Sequence, residues 1–96
     1  MNENTLSLLK KVSKTGNFRI LLALLEGPKR WSDLEKVVDK KTLSYGINEL
    51  IETGLIKPIL LEDSPKGSKA YVLTEFGMFI LKKLEEIERY LERLEK

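Results

Sequence analysis

The chain reads as a mainly α-helical domain that carries one small antiparallel β-hairpin, and three observations predict this. Apolar residues recur at helical spacing from Asn4 to Thr53 and again from Glu75 onward. Between those stretches, Leu55 to Glu62 and Lys69 to Leu73 are short segments with strand character, joined by the turn Asp63-Ser64-Pro65-Lys66-Gly67-Ser68. Caps and stops punctuate the pattern at Thr15-Gly16-Asn17, Gly27-Pro28, Asp39, Gly54 and Thr74. With 96 residues, 42% of them apolar, the chain can bury one compact core, so a single domain spanning residues 1–96 is expected.

Leu6, Leu8, Leu9 and Val12 predict a first helix from about Asn4 to Lys14. Asn17 is placed to cap a second helix, Phe18 to about Glu26, which is apolar nearly all round and should be the central buried one. Ser32-Asp33-Leu34-Glu35 has the form of a capping box and opens a brief helix to about Val38, facing Leu34, Val37 and Val38 inward, with Trp31 as a staple. Asp39 then caps a fourth helix with Lys40, Lys41 and Thr42 in its first turn and Leu43, Ile47, Leu50 and Ile51 as its apolar stripe. Two helices joined by almost no linker form a helix-turn-helix. The stripe fixes the buried face, so Lys40, Lys41, Ser44, Tyr45 and Asn48 must project away from the core.

Pro58 cannot donate to a ladder, which assigns its strand to an edge or a bulge. In the last helix, capped by Thr74, Ile80, Leu84, Ile87, Leu91 and Leu94 recur at spacings of four, three, four and three, a heptad seam flanked by charges. A helix of some twenty residues outruns a core this small, so the seam is expected to pair two copies.

Composition narrows the function. The sequence contains no Cys, His or Gln, which excludes thiol chemistry, imidazole acid–base work and the usual zinc ligand sets. It has no Gly-rich phosphate loop and no nucleophile elbow, and its carboxylates fall among lysines on helix faces, so neither an enzyme nor a cofactor is expected. The apolar runs are far shorter than a membrane span, and no signal-peptide pattern opens the chain, so a cytoplasmic protein is expected. Abundant Lys, Glu, Leu and Ile without Gln or Cys suits a thermophile. The net charge is only +2 and no segment is a basic tail, so any surface for an anionic partner must be assembled in three dimensions.

The local wording agrees with the order of elements. Asn17 to Leu21, Leu24 to Leu34, Thr42 to Tyr45, Glu49-Leu50, Gly54 to Ile56 and Tyr71 to Gly77 together resemble the HxlR and PadR type regulators of the broad MarR-like group, over about residues 16 to 80. That resemblance implies a winged helix-turn-helix: a homodimer binding double-stranded DNA, with a recognition helix in each major groove, a wing over the backbone or minor groove, and Leu6, Leu9 and Val12 of the first helix adding to the dimer interface. The chain departs from the pattern where Tyr45 and Gly46 stand at positions often basic, and where the turn and return strand of the wing offer only Lys66 and Lys69. Gly46 inside a helix costs about 1 kcal/mol relative to Ala, which points to a close approach by DNA or a neighbouring helix.

Under this reading Lys40 and Lys41 meet phosphates or guanine, Asn48 adenine, and Tyr45 a sugar or thymine methyl, with Thr42 and Ser44 beside them. Lys66 and Lys69 would grip phosphates from the wing, and Lys29 and Arg30 would approach the backbone ahead of the third helix. Two alternatives belong to other classes. Asp33, Glu35, Glu49 and Glu52 near the same face would suit a protein-interaction module, and Phe76, Phe79 and Tyr90 would suit a small-molecule pocket beside the dimer helices.

Overall fold

A computed structural model describes residues 1–95, and in it the elements follow the order α1 Glu3–Val12, α2 Thr15–Leu24, β1 Lys29–Arg30, α3 Trp31–Leu34, α4 Lys40–Glu52, β2 Ile56–Leu61, β3 Ser68–Leu73 and α5 Glu75–Leu94. Each long helix has a polar side chain at its start or a glycine just past its end. Asn2 accepts from the Thr5 amide at 2.9 Å, Thr74 accepts from the Gly77 amide at 3.0 Å, and Gly27 and Gly54 take φ of 131° and 78° as the chain leaves α2 and α4.

The break between α1 and α2 lies at Ser13-Lys14, earlier than Thr15-Gly16-Asn17 suggested, and Asn17 is a helix-interior residue rather than a cap. The reason is packing. A Cβ on Gly16 would stand 2.3 Å from Cγ2 of Thr42, so the glycine lets α4 lie close against α2. Asn17 is turned inward beneath α4, only 3% exposed.

The capping box also moves. The Asp33 carboxylate accepts from the Arg30 amide at 2.9 Å, so the cap is Arg30, two residues ahead of the expected Ser32, and α3 runs from Trp31 to Leu34. Val37 falls outside the helix and is exposed, whereas Leu34 and Val38 are buried as expected. Ile51, assigned to the buried stripe of α4, lies at its exposed margin.

The hairpin β2–β3 forms with Pro58 opposite Tyr71 and Ile59 opposite Ala70. The sequence did not reveal a third strand: Lys29 and Arg30 pair with Tyr71 and Ala70 on the other side of β3, giving the order β1-β3-β2 and leaving β2, with its proline, at an edge.

The core is built around α2 and α4. Ile20, Leu21 and Leu24 meet Leu43, Ile47 and Leu50, and Leu34, Leu55, Ile56, Tyr71 and Leu81 close the cluster. Val12, expected at a dimer interface, belongs to this core, because the end of α1 turns its apolar edge onto the protomer. α5 begins tightly docked: a Cβ on Gly77 would stand 2.1 Å from the Leu55 carbonyl oxygen, and the Thr74 hydroxyl donates to the Gly54 carbonyl. Its 20 residues span about 30 Å, and the molecule measures 52 × 31 × 25 Å, so the helix runs on past the core that seats its first turns. No described helix is long and apolar enough to cross a membrane.

Candidate nucleic-acid interface

The candidate surface is the outer face of α4. Asp39 starts the helix by accepting the Thr42 amide at 2.8 Å and the Thr42 hydroxyl at 3.0 Å, and these bonds hold its carboxyl below the usual carboxylate range. Thr42 is therefore occupied within the protein, its hydroxyl donated to Asp39 and its methyl laid against Gly16. Lys40, Lys41, Ser44, Tyr45 and Asn48 are all exposed on the face opposite the buried stripe, with Tyr45 67% accessible. Lys40 reaches no closer than 3.9 Å to Glu35 and its side chain is 87% exposed, so its charge is free.

Gly46 is explained by α2. A Cβ there would lie 2.6 Å from Oδ1 of Asn17 and 2.9 Å from Cδ1 of Ile20, so the glycine answers a neighbouring helix and not DNA. Around it a polar cluster joins three helices. The Asn17 amide donates to the Lys11 carbonyl at 2.9 Å and to Glu49 at 3.2 Å, while the Lys14 ammonium donates to both Glu49 oxygens at 2.9 Å. Lys14 first, then Asn17, hold the Glu49 carboxyl below its ordinary value. Lys14, Lys41, Tyr45 and Glu49 share one shallow groove, so Lys14 joins the α4 face although sequence reasoning missed it. Its partner stands 35 residues away, and no local pattern reports such a pairing.

The wing presents Lys66 exposed near its tip and Lys69 exposed on β3, the latter amine 5.7 Å from the Tyr71 ring centroid. Lys29 and Arg30 are turned onto the protein's own carboxylates. Arg30 is ion-paired with Asp63 and donates from Nε to Ser68 at 3.1 Å, tying β1 to the base of the wing; Lys29 lies 3.0 Å from Glu26. Of the acidic residues on this side, Asp33 caps α3 and Glu49 holds Lys14, whereas Glu35 stands 3.9 Å from the free Lys40 ammonium and Glu52 is exposed.

The three aromatic residues considered for a pocket do not converge. Phe76 lines a shallow groove with Thr5, Leu8 and Thr53, whereas Phe79 and Tyr90 are exposed, with Lys83 and Arg93 lying 5.4 and 5.0 Å from their ring centroids. Along the α5 seam, Ile80 and Leu84 lean on the core, but Ile87, Leu91 and Leu94 are exposed, as are Leu6 and Leu9 of α1. Among the described residues no group of His, Cys, Asp or Glu could hold a metal ion.

The sequence model of the HxlR-like helix-turn-helix family matches residues 11–96. Among solved structures, the transcriptional regulator YodB of Bacillus subtilis superposes with a TM-score of 0.82 at 22% identity, over 97% of this chain and 93% of its own. A PadR-like transcription factor from Bacteroides fragilis gives 0.70 at 25% identity, over 96% and 95% of the two chains. The transcriptional repressor BigR from Xylella fastidiosa gives 0.62 at 26% identity, over 74% and 68%. No curated protein matches the chain.

Proposed function

This chain belongs to the HxlR-like helix-turn-helix family, and we propose that it is a transcriptional regulator that binds double-stranded DNA as a homodimer, α4 entering the major groove. The observation that carries this reading is the division of α4 into two faces. Its apolar stripe is buried in the protomer, and Lys40, Lys41, Ser44, Tyr45 and Asn48 stand free on a helix held rigidly from behind. Lys40 and Lys41 neutralise phosphates, Asn48 has the donor and acceptor to read adenine, and Tyr45 meets a sugar or a thymine methyl. Lys66 and Lys69 bring the wing against the backbone.

Two copies pair through α5 and α1, where Ile87, Leu91, Leu94, Leu6 and Leu9 are uncovered apolar side chains on the two helices that flank the core. Pairing also answers the modest charge, since two half-sites engaged together gain avidity that one cannot reach. The protein acts in the cytoplasm. YodB has been solved in a reduced and in a diamide-treated form; with no Cys among its 96 residues, this chain has no thiol to oxidise.

The test is fluorescence anisotropy with random duplex and with the DNA upstream of the protein's own gene, across a salt series. Tight binding to one duplex with steep salt dependence is expected. Lys41→Ala should weaken binding to every sequence, and Asn48→Ala should relax preference at particular bases. No binding to either duplex at low salt would sink the proposal.

A further inference from the structure

Resting on the DNA-binding reading of α4, we infer that Glu49 sequesters Lys14 from the phosphate backbone and thereby sets how tightly the protein holds DNA of any sequence. Lys14 is the N-cap of α2, and it shares the groove of Lys41 and Tyr45, the side chains offered to the major groove. A free ammonium there would neutralise one more phosphate, an interaction that carries no sequence information. It is not free. Both oxygens of Glu49 accept from it at 2.9 Å, which cancels its charge within the surface.

The carboxylate cannot swing away readily, because it is also held from behind. Glu49 accepts a third bond, from the buried Asn17 amide, and Asn17 is itself fixed to the Lys11 carbonyl. Gly46 closes over the same asparagine, with room for no Cβ. A surface pair alone contributes little. Here the acid is anchored through a buried side chain to the ends of two helices, so its position is set by the core. Glu49 is thus a positioning residue that acts on DNA through Lys14.

Three variants test this against a random duplex, by anisotropy at several salt concentrations. Glu49→Gln keeps an oxygen for Asn17 but releases Lys14. It should raise random-duplex affinity roughly fivefold at about 0.1 M salt and steepen the log–log salt slope by about 0.9, as one additional neutralised phosphate would. Lys14→Met should lower affinity, leaving Glu49 as a bare anion facing DNA, without changing the slope. In Lys14→Met/Glu49→Gln the slope should return to the wild-type value.

An unchanged slope and affinity in Glu49→Gln would overturn the inference, and so would a steepened slope that survives in the double variant. A slope already shallower by about 0.9 in Lys14→Met would also overturn it, since Lys14 would then be touching phosphate in the wild type. If Glu49→Gln fails to fold, as judged by circular dichroism, the Lys14→Met slope decides alone. Failure of the wild-type protein to bind any duplex would instead overturn the reading of α4 on which this one stands.

Discussion

α4 and α5 are both amphipathic helices, and the protomer uses them in opposite ways. In α4 the apolar stripe is consumed internally: Leu43 and Leu50 are fully buried and Ile47 nearly so, which leaves the polar face available for work. In α5 the stripe is buried at its start, by Leu81 with Ile80 and Leu84 against the core, and then continues through Ile87, Leu91 and Leu94, which are exposed. An exposed polar face on a rigidly seated helix is a surface for recognition, whereas an exposed apolar face on a projecting helix is a surface awaiting another apolar one.

The largest effects are expected on the buried side of α4. Leu50→Ala should cost about 2–5 kcal/mol, read as a lower urea midpoint with an unchanged m value, because the cavity would open in the middle of the core. Gly46→Ala should also destabilise, by roughly 1–2 kcal/mol net: a Cβ 2.6 Å from Asn17 and 2.9 Å from Ile20 outweighs the gain in helix propensity. Stabilisation by Gly46→Ala would mean that α2 and α4 are not locked as closely as described.

On α5 the sign of the experiment changes. Ile87→Asp combined with Leu91→Asp should leave the protomer folded, with a change in its own stability of about 0.5 kcal/mol or less, yet halve the mass seen by analytical ultracentrifugation. A doubly substituted protein that sedimented as a dimer would place the interface elsewhere.

The smallest effect concerns acid. The carboxyls of Asp39 and Glu49 are both held below their ordinary values, Asp39 by the Thr42 amide and hydroxyl, Glu49 by Lys14 and then Asn17. Such groups contribute stability in full above the ordinary carboxylate pKa of about 4 and lose it as pH falls through the lower folded values. The thermal midpoint should therefore be flat from about pH 7 to 5 and fall below about pH 4, less steeply in Asp39→Asn.

What the sequence disclosed was whatever depends on near neighbours. The Asp39 and Thr74 caps, the stop at Gly54, the edge strand marked by Pro58 and the outward set on α4 all follow from residues a turn or two apart. What it withheld depends on distant ones. β1 is two residues long and exists only because Tyr71 and Ala70 pair with it. Arg30 finds Asp63, Lys14 finds Glu49, and Asn17, which has the chemistry of a cap, is drawn inside by the Lys11 carbonyl and a carboxylate 32 residues on. Val12 shows the same limit from the apolar side, since periodicity marks a stripe but not which surface will cover it.

Pro58 has a consequence for how the molecule keeps company with itself. β2 is the longer of the two outer strands of a three-stranded sheet, and an open strand is a template on which a neighbouring chain can zip. A proline there removes a donor from that row, and Lys57 beside it sets an exposed charge where an incoming strand would need to lie. Were two copies held on one duplex, as the proposed dimer would be, the wing would offer its copy a poor template, and association would be left to the helices.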